Sequence, residues 1–252
     1  MLQALLFGLL AGSAVFFGAL VGIYTKINKK TIAAIMAFGS GVLISALSLD
    51  LMEEANATGG FIAVSIGFIL GGLFYVVGDY FIDNAGGHAR KSVHSKHHNK
   101  RNPGVVTISG MALFMGAMLD GIPESSAIGI NLLSGTNMGI LLLAAVFLSN
   151  FPEGVSGAIG MKEAGKSKKY ILGLWLSIII ISGLSSLVGF AFLGQTSEHF
   201  QAATMAFAAG AILAMITDTM IPEAFDRGGR FVALMAVLGF LVAFIISRVA
   251  KG

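Results

Sequence analysis

Eight apolar runs, each near the length that crosses a lipid bilayer, constrain this chain more tightly than any single motif in it. They fall near residues 2–25, 31–55, 60–82, 104–133, 138–161, 170–193, 200–225 and 229–250, with polar or glycine-rich breaks between them. A helix needs about 20 apolar residues to span hydrocarbon, and lipid tolerates only backbones that satisfy their own hydrogen bonds. The expected fold is therefore all-α: a polytopic membrane protein with eight transmembrane helices in one domain, residues 1–252. Composition agrees, since 56% of the side chains are hydrophobic and 12% charged, against about 25% charged in an ordinary soluble domain. The 34 glycines fit helices that pack backbone against backbone. The first run has no basic segment ahead of it and reads as an anchor, not a cleaved signal. Separating the fourth run from the fifth requires residues 133–138 (LSGTNM) to form a turn.

The basic residues test that count. Lys26, Lys29 and Lys30 follow the first run; Arg90, Lys91, Lys96, Lys100 and Arg101 the third; Lys162, Lys166, Lys168 and Lys169 the fifth; Arg227 and Arg230 the seventh. Fourteen of the sixteen thus lie in odd-numbered connections, and only Arg248 and Lys251 do not. Cytoplasmic loops carry the lysine and arginine excess, so both termini are expected outside a cell membrane. The net charge of +3 is a topology signal and not a nucleic-acid surface, because the basic residues are not interleaved with aromatics. The connection at 83–103 adds His88, His94, His97 and His98. It reads equally as a weak, flexible metal site or as a solvated positive loop. A short chain with no cysteine and no long loops fits a prokaryotic plasma membrane. The missing cysteines also exclude disulfides and thiolate ligands, so any metal must be held by oxygen or nitrogen. No nucleotide-binding glycine pattern or HExxH is present, which excludes a pump with its own ATPase; all five histidines are expected in loops.

Two internal echoes follow. FGSGVLISALSLDLMEEA, starting at Phe38, matches FAAGAILAMITDTMIPEA, starting at Phe207, pairing Gly41 with Gly210 and Glu54 with Glu223. The loop charges orient these two helices oppositely, so an inverted repeat is expected, as in many transporters. The second echo joins neighbours: Ile122-Pro123-Glu124-Ser125 and Phe151-Pro152-Glu153-Gly154.

Three of the four prolines, Pro123, Pro152 and Pro222, stand directly before a glutamate inside an apolar run. A mid-helix proline lacks an N–H and pushes away the carbonyl four residues earlier, here that of Leu119, Leu148 or Asp218, leaving an oxygen that a cation can use. The carboxylates of Glu124, Glu153 and Glu223 would be costly in hydrocarbon unless each paired with a cation or lined a wet path. The bland alternative is a protonated structural glutamate. Asp120 shares a helix face with Glu124, as Ser149 and Asn150 do with Glu153. Asp218 lies about 140° round the helix from Glu223 and is a path-lining candidate, as is Glu223 itself. Asp50, Glu53 and Glu54 close the second helix and read equally as path-lining carboxylates or as groups solvated at its outer end, solvation being the reading for Glu53.

These residues resemble the ZIP (Zrt/Irt-like) family of metal transporters, and the likeness spans the whole chain. It includes the eight helices, the outward termini, the histidine-containing loop after the third helix and the successive Pro-Glu motifs. The resemblance implies a mid-membrane metal site between the fourth and fifth helices. Asp120-Gly121-Ile122-Pro123-Glu124-Ser125 stands where the family has His-Asn-x-Pro-Glu-Gly, so the first ligand changes from nitrogen to oxygen. Ser149-Asn150-Phe151-Pro152-Glu153-Gly154 would supply Glu153 as a shared carboxylate and Asn150 as a carbonyl ligand. Asp218-Thr219 replaces the His-Glu of many relatives, and the sixth helix offers no carboxylate. One oxygen-dominated site is therefore a simpler expectation than two metals.

The implied function is transport of a divalent cation, zinc first with manganese or iron as further candidates, toward the cytoplasm. The ion is substrate, and no cofactor is expected. Oxygen ligands suit harder ions, which predicts a weaker zinc preference than histidine-bearing relatives have. The expected partners are the metal and the bilayer, with no nucleic acid. Gly67, Gly71 and Gly72 could serve a homodimer contact or packing within one chain. The rival reading is an intramembrane enzyme using Asp120 with Glu124 or Glu153 as an acid/base pair; it would turn over a substrate without moving metal.

Overall fold

The computed structural model describes residues 1–82, 110–134, 136–193 and 195–251. The histidine-containing loop at 83–103, with its candidate ligands, lies outside them. The described residues form α1 (Leu2–Tyr24), α2 (Lys29–Ala46), a π-helical turn π1 (Leu47–Leu51), α3 (Met52–Ile82), α4 (Gly110–Ser134), α5 (Thr136–Glu163), α6 (Lys168–Leu193), α7 (Glu198–Met215), a second π turn π2 (Ile216–Met220), α8 (Ile221–Gly228) and α9 (Phe231–Lys251). No strand occurs among them, as an apolar medium demands of a chain that is not a barrel. The turn expected at 133–138 is shorter than the sequence suggests, because α4 runs to Ser134 and α5 begins at Thr136.

Six stretches of the described residues are long and apolar enough to cross a membrane, which makes this a multi-pass membrane protein. Two features account for the difference from eight. The polar residues of α4, from Asp120 and Glu124 to Asn131, keep it off that count. Lys29–Ile82 counts as one stretch of 54 residues, about 80 Å of helix against a core of about 30 Å. It is broken at Gly60, where φ is 78° and ψ 170°, a conformation that costs glycine little and other residues much. The break falls at the end of the interval expected, since the helix runs through Asn56 to Gly59 before it turns. His199 Nδ1 lies 2.9 Å from the Gly59 carbonyl and can donate to it. His199 is thus not a loop residue; it belongs to the first turn of α7, which Ser197 caps.

The internal echo returns in the backbone. With Phe38 matched to Phe207, π1 and π2 coincide residue for residue, Leu47 with Ile216 and Leu51 with Met220. The packing around them is matched too. Helix α2 lies against α9, with Gly41 on the Ala236 backbone and Gly239 on that of Phe38, while α3 lies against α7, with Gly71 on Phe207 and Gly210 on Phe68. Gly67 packs on Ala203, and Gly72 faces Gly210. The glycines that could have served a dimer are therefore used within the chain. The remaining helices, α1, α4, α5 and α6, form their own bundle, held by Gly8 and Gly12 against Ser182, Gly129 against Ser186 and Gly154 against Val15. Helix α2 meets that bundle where Gly39 touches Ser149, next to the polar face of α5.

Candidate metal site

Pro123 lies inside α4 and Pro152 inside α5, so both helices carry the interior prolines that the sequence implies. Pro222 differs. It occupies the first turn of α8, and the π turn just ahead of it closes with Ile221 N–H donating to the Ile216 carbonyl. A proline is tolerated in a first turn, so the widened turn, more than a proline kink, shapes this region. Its counterpart π1 has the same geometry with no proline.

On α4, Glu124 is wholly buried and Asp120 nearly so. Neither oxygen of Glu124 has a hydrogen-bond partner. Asp120 and Glu153 are the charged groups near enough to act on it. Glu153, on α5, is half-buried. Beside it Ser149 and Asn150 are buried; Ser149 Oγ donates to the Val146 carbonyl at 2.9 Å, and Asn150 Nδ2 donates to the Ala11 carbonyl at 3.4 Å. With its nitrogen fixed toward α1, the Asn150 carboxamide keeps its oxygen as an acceptor. The close fit of Gly18 on Phe151 and of Gly154 on Val15 presses α1 against α5 around Pro152.

The other candidates lie elsewhere. Asp218 is exposed, while the adjacent Thr219 is buried and shares a 3.0 Å hydrogen bond with Tyr75 Oη of α3. Glu223 Oε1 accepts from Ser156 Oγ of α5 at 2.6 Å and lies 2.7 Å from Arg227 Nη2. Asp50, for which the sequence supports solvated and path-lining readings equally, is buried in π1 and accepts from Ser247 Oγ of α9 at 2.7 Å. A cavity of about 480 Å³ opens beyond this end of α5, lined by Thr25, Lys26, Lys29, Ser156, Lys162 and Arg227 among others.

Asp120 and Glu124 thus lie on α4 and Ser149, Asn150 and Glu153 on α5, with Asn150 turned toward α1 and Ser149 against α2, and Asp120 and Glu153 are the charged groups that act on Glu124. Among the described residues no three histidine, aspartate or glutamate side chains form a closed metal-holding group. Any ion here would need amide, hydroxyl, carbonyl or water oxygens as well, a donor set of hard character. Sequence reasoning missed three residues. Asn131 is buried with its Oδ1 unpartnered, and its spacing of seven from Glu124 on one helix could have revealed it. Ser156 carries no such signal, because its contact joins separate helices, whereas Arg227 stands four residues after Glu223 on α8, a spacing the sequence offers.

No family model matches the chain. Zinc transporter ZTP29 of Arabidopsis thaliana is 29% identical over 255 aligned positions, covering 94% of this chain and 90% of its own. Zinc transporter ZupT of Salmonella heidelberg (strain SL476) is 28% identical over 234 positions, covering 89% of this chain and 87% of its own. Zinc transporter ZupT of Enterobacter sp. (strain 638) is 29% identical over 228 positions, covering 87% and 86%. The similarity therefore runs along nearly the full length of each protein, and these relatives are transport proteins, not enzymes.

Proposed function

We propose that this chain, a homologue of ZIP-family zinc transporters along nearly its whole length, carries divalent cations across a cell membrane toward the cytoplasm. Zinc is the first substrate, with manganese or iron as others. The ion is held between α4 and α5 by Glu124 and Glu153, with Asp120 and Asn150 completing the set and Ser149 adjoining it. The observation that supports this most directly is Glu124, fully enclosed with neither carboxylate oxygen hydrogen-bonded. A buried polar group without a partner costs free energy in a resting protein, and a carboxylate costs most. Such a position makes sense for a group whose partner is a transient cation.

Eight crossings follow if Gly60 divides Lys29–Ile82 into two spans and α4 crosses as well. The matched pairs α2–α9 and α3–α7 would then be the halves of an inverted repeat, and alternating access a motion of those pairs against the bundle of α1, α4, α5 and α6. The end that carries the basic residues would then face the cytoplasm, and both termini the outside.

The test is uptake of radiolabelled zinc and manganese into proteoliposomes by the native chain, Glu124→Ala and Glu153→Ala. Uptake that vanishes in both variants while they remain monodisperse supports the assignment. A native chain that moves no metal, with or without a proton gradient, overturns it. A zinc-to-manganese ratio as high as that of a histidine-bearing relative would refute the weaker zinc preference.

A further inference from the structure

Glu223 stands between the polar face of α5 and the basic cavity, and it is already engaged by a cation. Arg227 Nη2 lies 2.7 Å from Glu223 Oε1, with only 19% and 15% of the two side chains exposed. This is therefore not one of the solvent-exposed pairs whose contribution is usually small. The same oxygen accepts from Ser156 Oγ at 2.6 Å. Ser156 follows Glu153 by three residues and so lies on the same side of α5. Glu223 thus ties α8 to the helix that carries Glu153. Ser156 and Arg227 both line the cavity, together with Lys26, Lys29 and Lys162, and Glu163 is the one carboxylate in that lining. Lys162 is committed to the Ile23 carbonyl at 2.8 Å.

We propose that Arg227 is a tethered counter-cation: its guanidinium holds the Glu223 carboxylate until a passing divalent ion displaces it, and its return releases the ion into the basic cavity. This rests on the transport reading above. Arginine suits the task because it stays charged at any working pH and is weakly hydrated, so it can leave and re-enter a partly buried pair without a change of protonation. The lining supplies the restoring force. A displaced guanidinium enters a lining with three lysines and one carboxylate, where like charges oppose it, and a metal released there meets the same net repulsion. Arg227 would therefore set the balance between holding an ion at Glu223 and letting it go, without being a ligand.

The experiment pairs Arg227→Gln with Glu223→Gln in a double-mutant cycle on the full-length chain. Zinc binding is measured by equilibrium dialysis in detergent, and zinc uptake in proteoliposomes. Arg227→Gln should bind zinc about tenfold more tightly at one site, with a lower KM for uptake and a lower maximal rate. Both effects should vanish in the Glu223→Gln background. Arg227→Lys should lie between native and Arg227→Gln, and it keeps the proposal testable if the glutamine variant folds poorly. Unchanged binding in Arg227→Gln, or a change that persists undiminished without Glu223, overturns the proposal. If the native chain moves no metal yet Arg227→Gln gains the Glu223-dependent site, the transport reading fails and the counter-cation stands.

Discussion

At Glu124 two requirements of a folded chain conflict, and a neutral isostere exposes the conflict. A wholly buried carboxyl with two unpartnered oxygens, close to Asp120 and Glu153, opposes folding unless something compensates. In metal-free protein, Glu124→Gln should raise the melting temperature, by about 2–4 °C for each kcal/mol recovered in a chain of this size. The native chain should also gain about 2.7 kcal/mol of apparent stability at zinc concentrations near a hundred times its Kd, a gain that Glu124→Gln should lose. Thermal melts with and without zinc measure both; a variant still stabilised fully by zinc would remove Glu124 from the ligand set. Asp120→His restores a nitrogen donor beside Glu124, and the zinc-to-manganese uptake ratio should rise by about tenfold, since imidazole favours zinc where carboxylate favours harder ions. Glu124 and Glu153 were legible in the sequence because a proline before a glutamate in an apolar run is a chemical anomaly in one dimension. Asn131 stands among apolar neighbours, and only its spacing of seven from Glu124 marks it in the sequence. Glu223 and Arg227 stand four residues apart and so could be read as a pair, but the Ser156 contact could not, because Ser156 and Glu223 meet only when α5 and α8 are packed together.

The elements hold together largely through glycines set against backbone, which in lipid takes the place of the hydrophobic driving force between soluble helices. A Cβ at Gly41 would collide with the Ala236 carbonyl, and one at its repeat partner Gly210 with that of Phe68. Gly41→Ala and Gly210→Ala should therefore each destabilise by about 1–3 kcal/mol. Gly173→Ala, in α6 with nothing within 4 Å of the added carbon, should be neutral or stabilise by about 0.5–1 kcal/mol through helix propensity. Melting temperatures of the three variants decide the matter; equal effects at Gly41 and Gly173 would show that helix contact is not what Gly41 provides. The FGSG and FAAG signatures made this pairing partly legible, since Phe38 and Phe207 offer the very backbones on which Gly239 and Gly71 rest. The π turns were not legible, although LSLDL and ITDTM pair Leu47 with Ile216, Ser48 with Thr217 and Leu51 with Met220: Asp50 bonds to Ser247 and the equivalent Thr219 to Tyr75. A widened turn rotates the polar residue toward the neighbouring helix, and that geometry leaves no periodic trace in the sequence.

For the whole molecule, the proposed eight crossings rest on the positive charges and on the break at Gly60 together. Read as one unbroken helix, Lys29–Ile82 would put α4 and everything after it on the wrong side of the lysine alternation; broken at Gly60, it keeps every basic cluster from Lys26 to Arg230 on one face. The natural chain contains no cysteine, so single replacements report sidedness cleanly. Ala57→Cys, in the last turn before the break, and Thr196→Cys, between α6 and α7, should react with a membrane-impermeant maleimide added outside intact cells. Lys26→Cys and Lys169→Cys should react only after the membrane is opened. All four positions are exposed or sit at the ends of described helices, so burial should not mask them. Outside labelling at Lys169 with protection at Thr196 would reverse the orientation and, with it, the direction of transport. Labelling of Ala57 from the same side as Lys26 would mean that Gly60 bends a helix without ending a crossing, and the eight-helix reading would fall to seven.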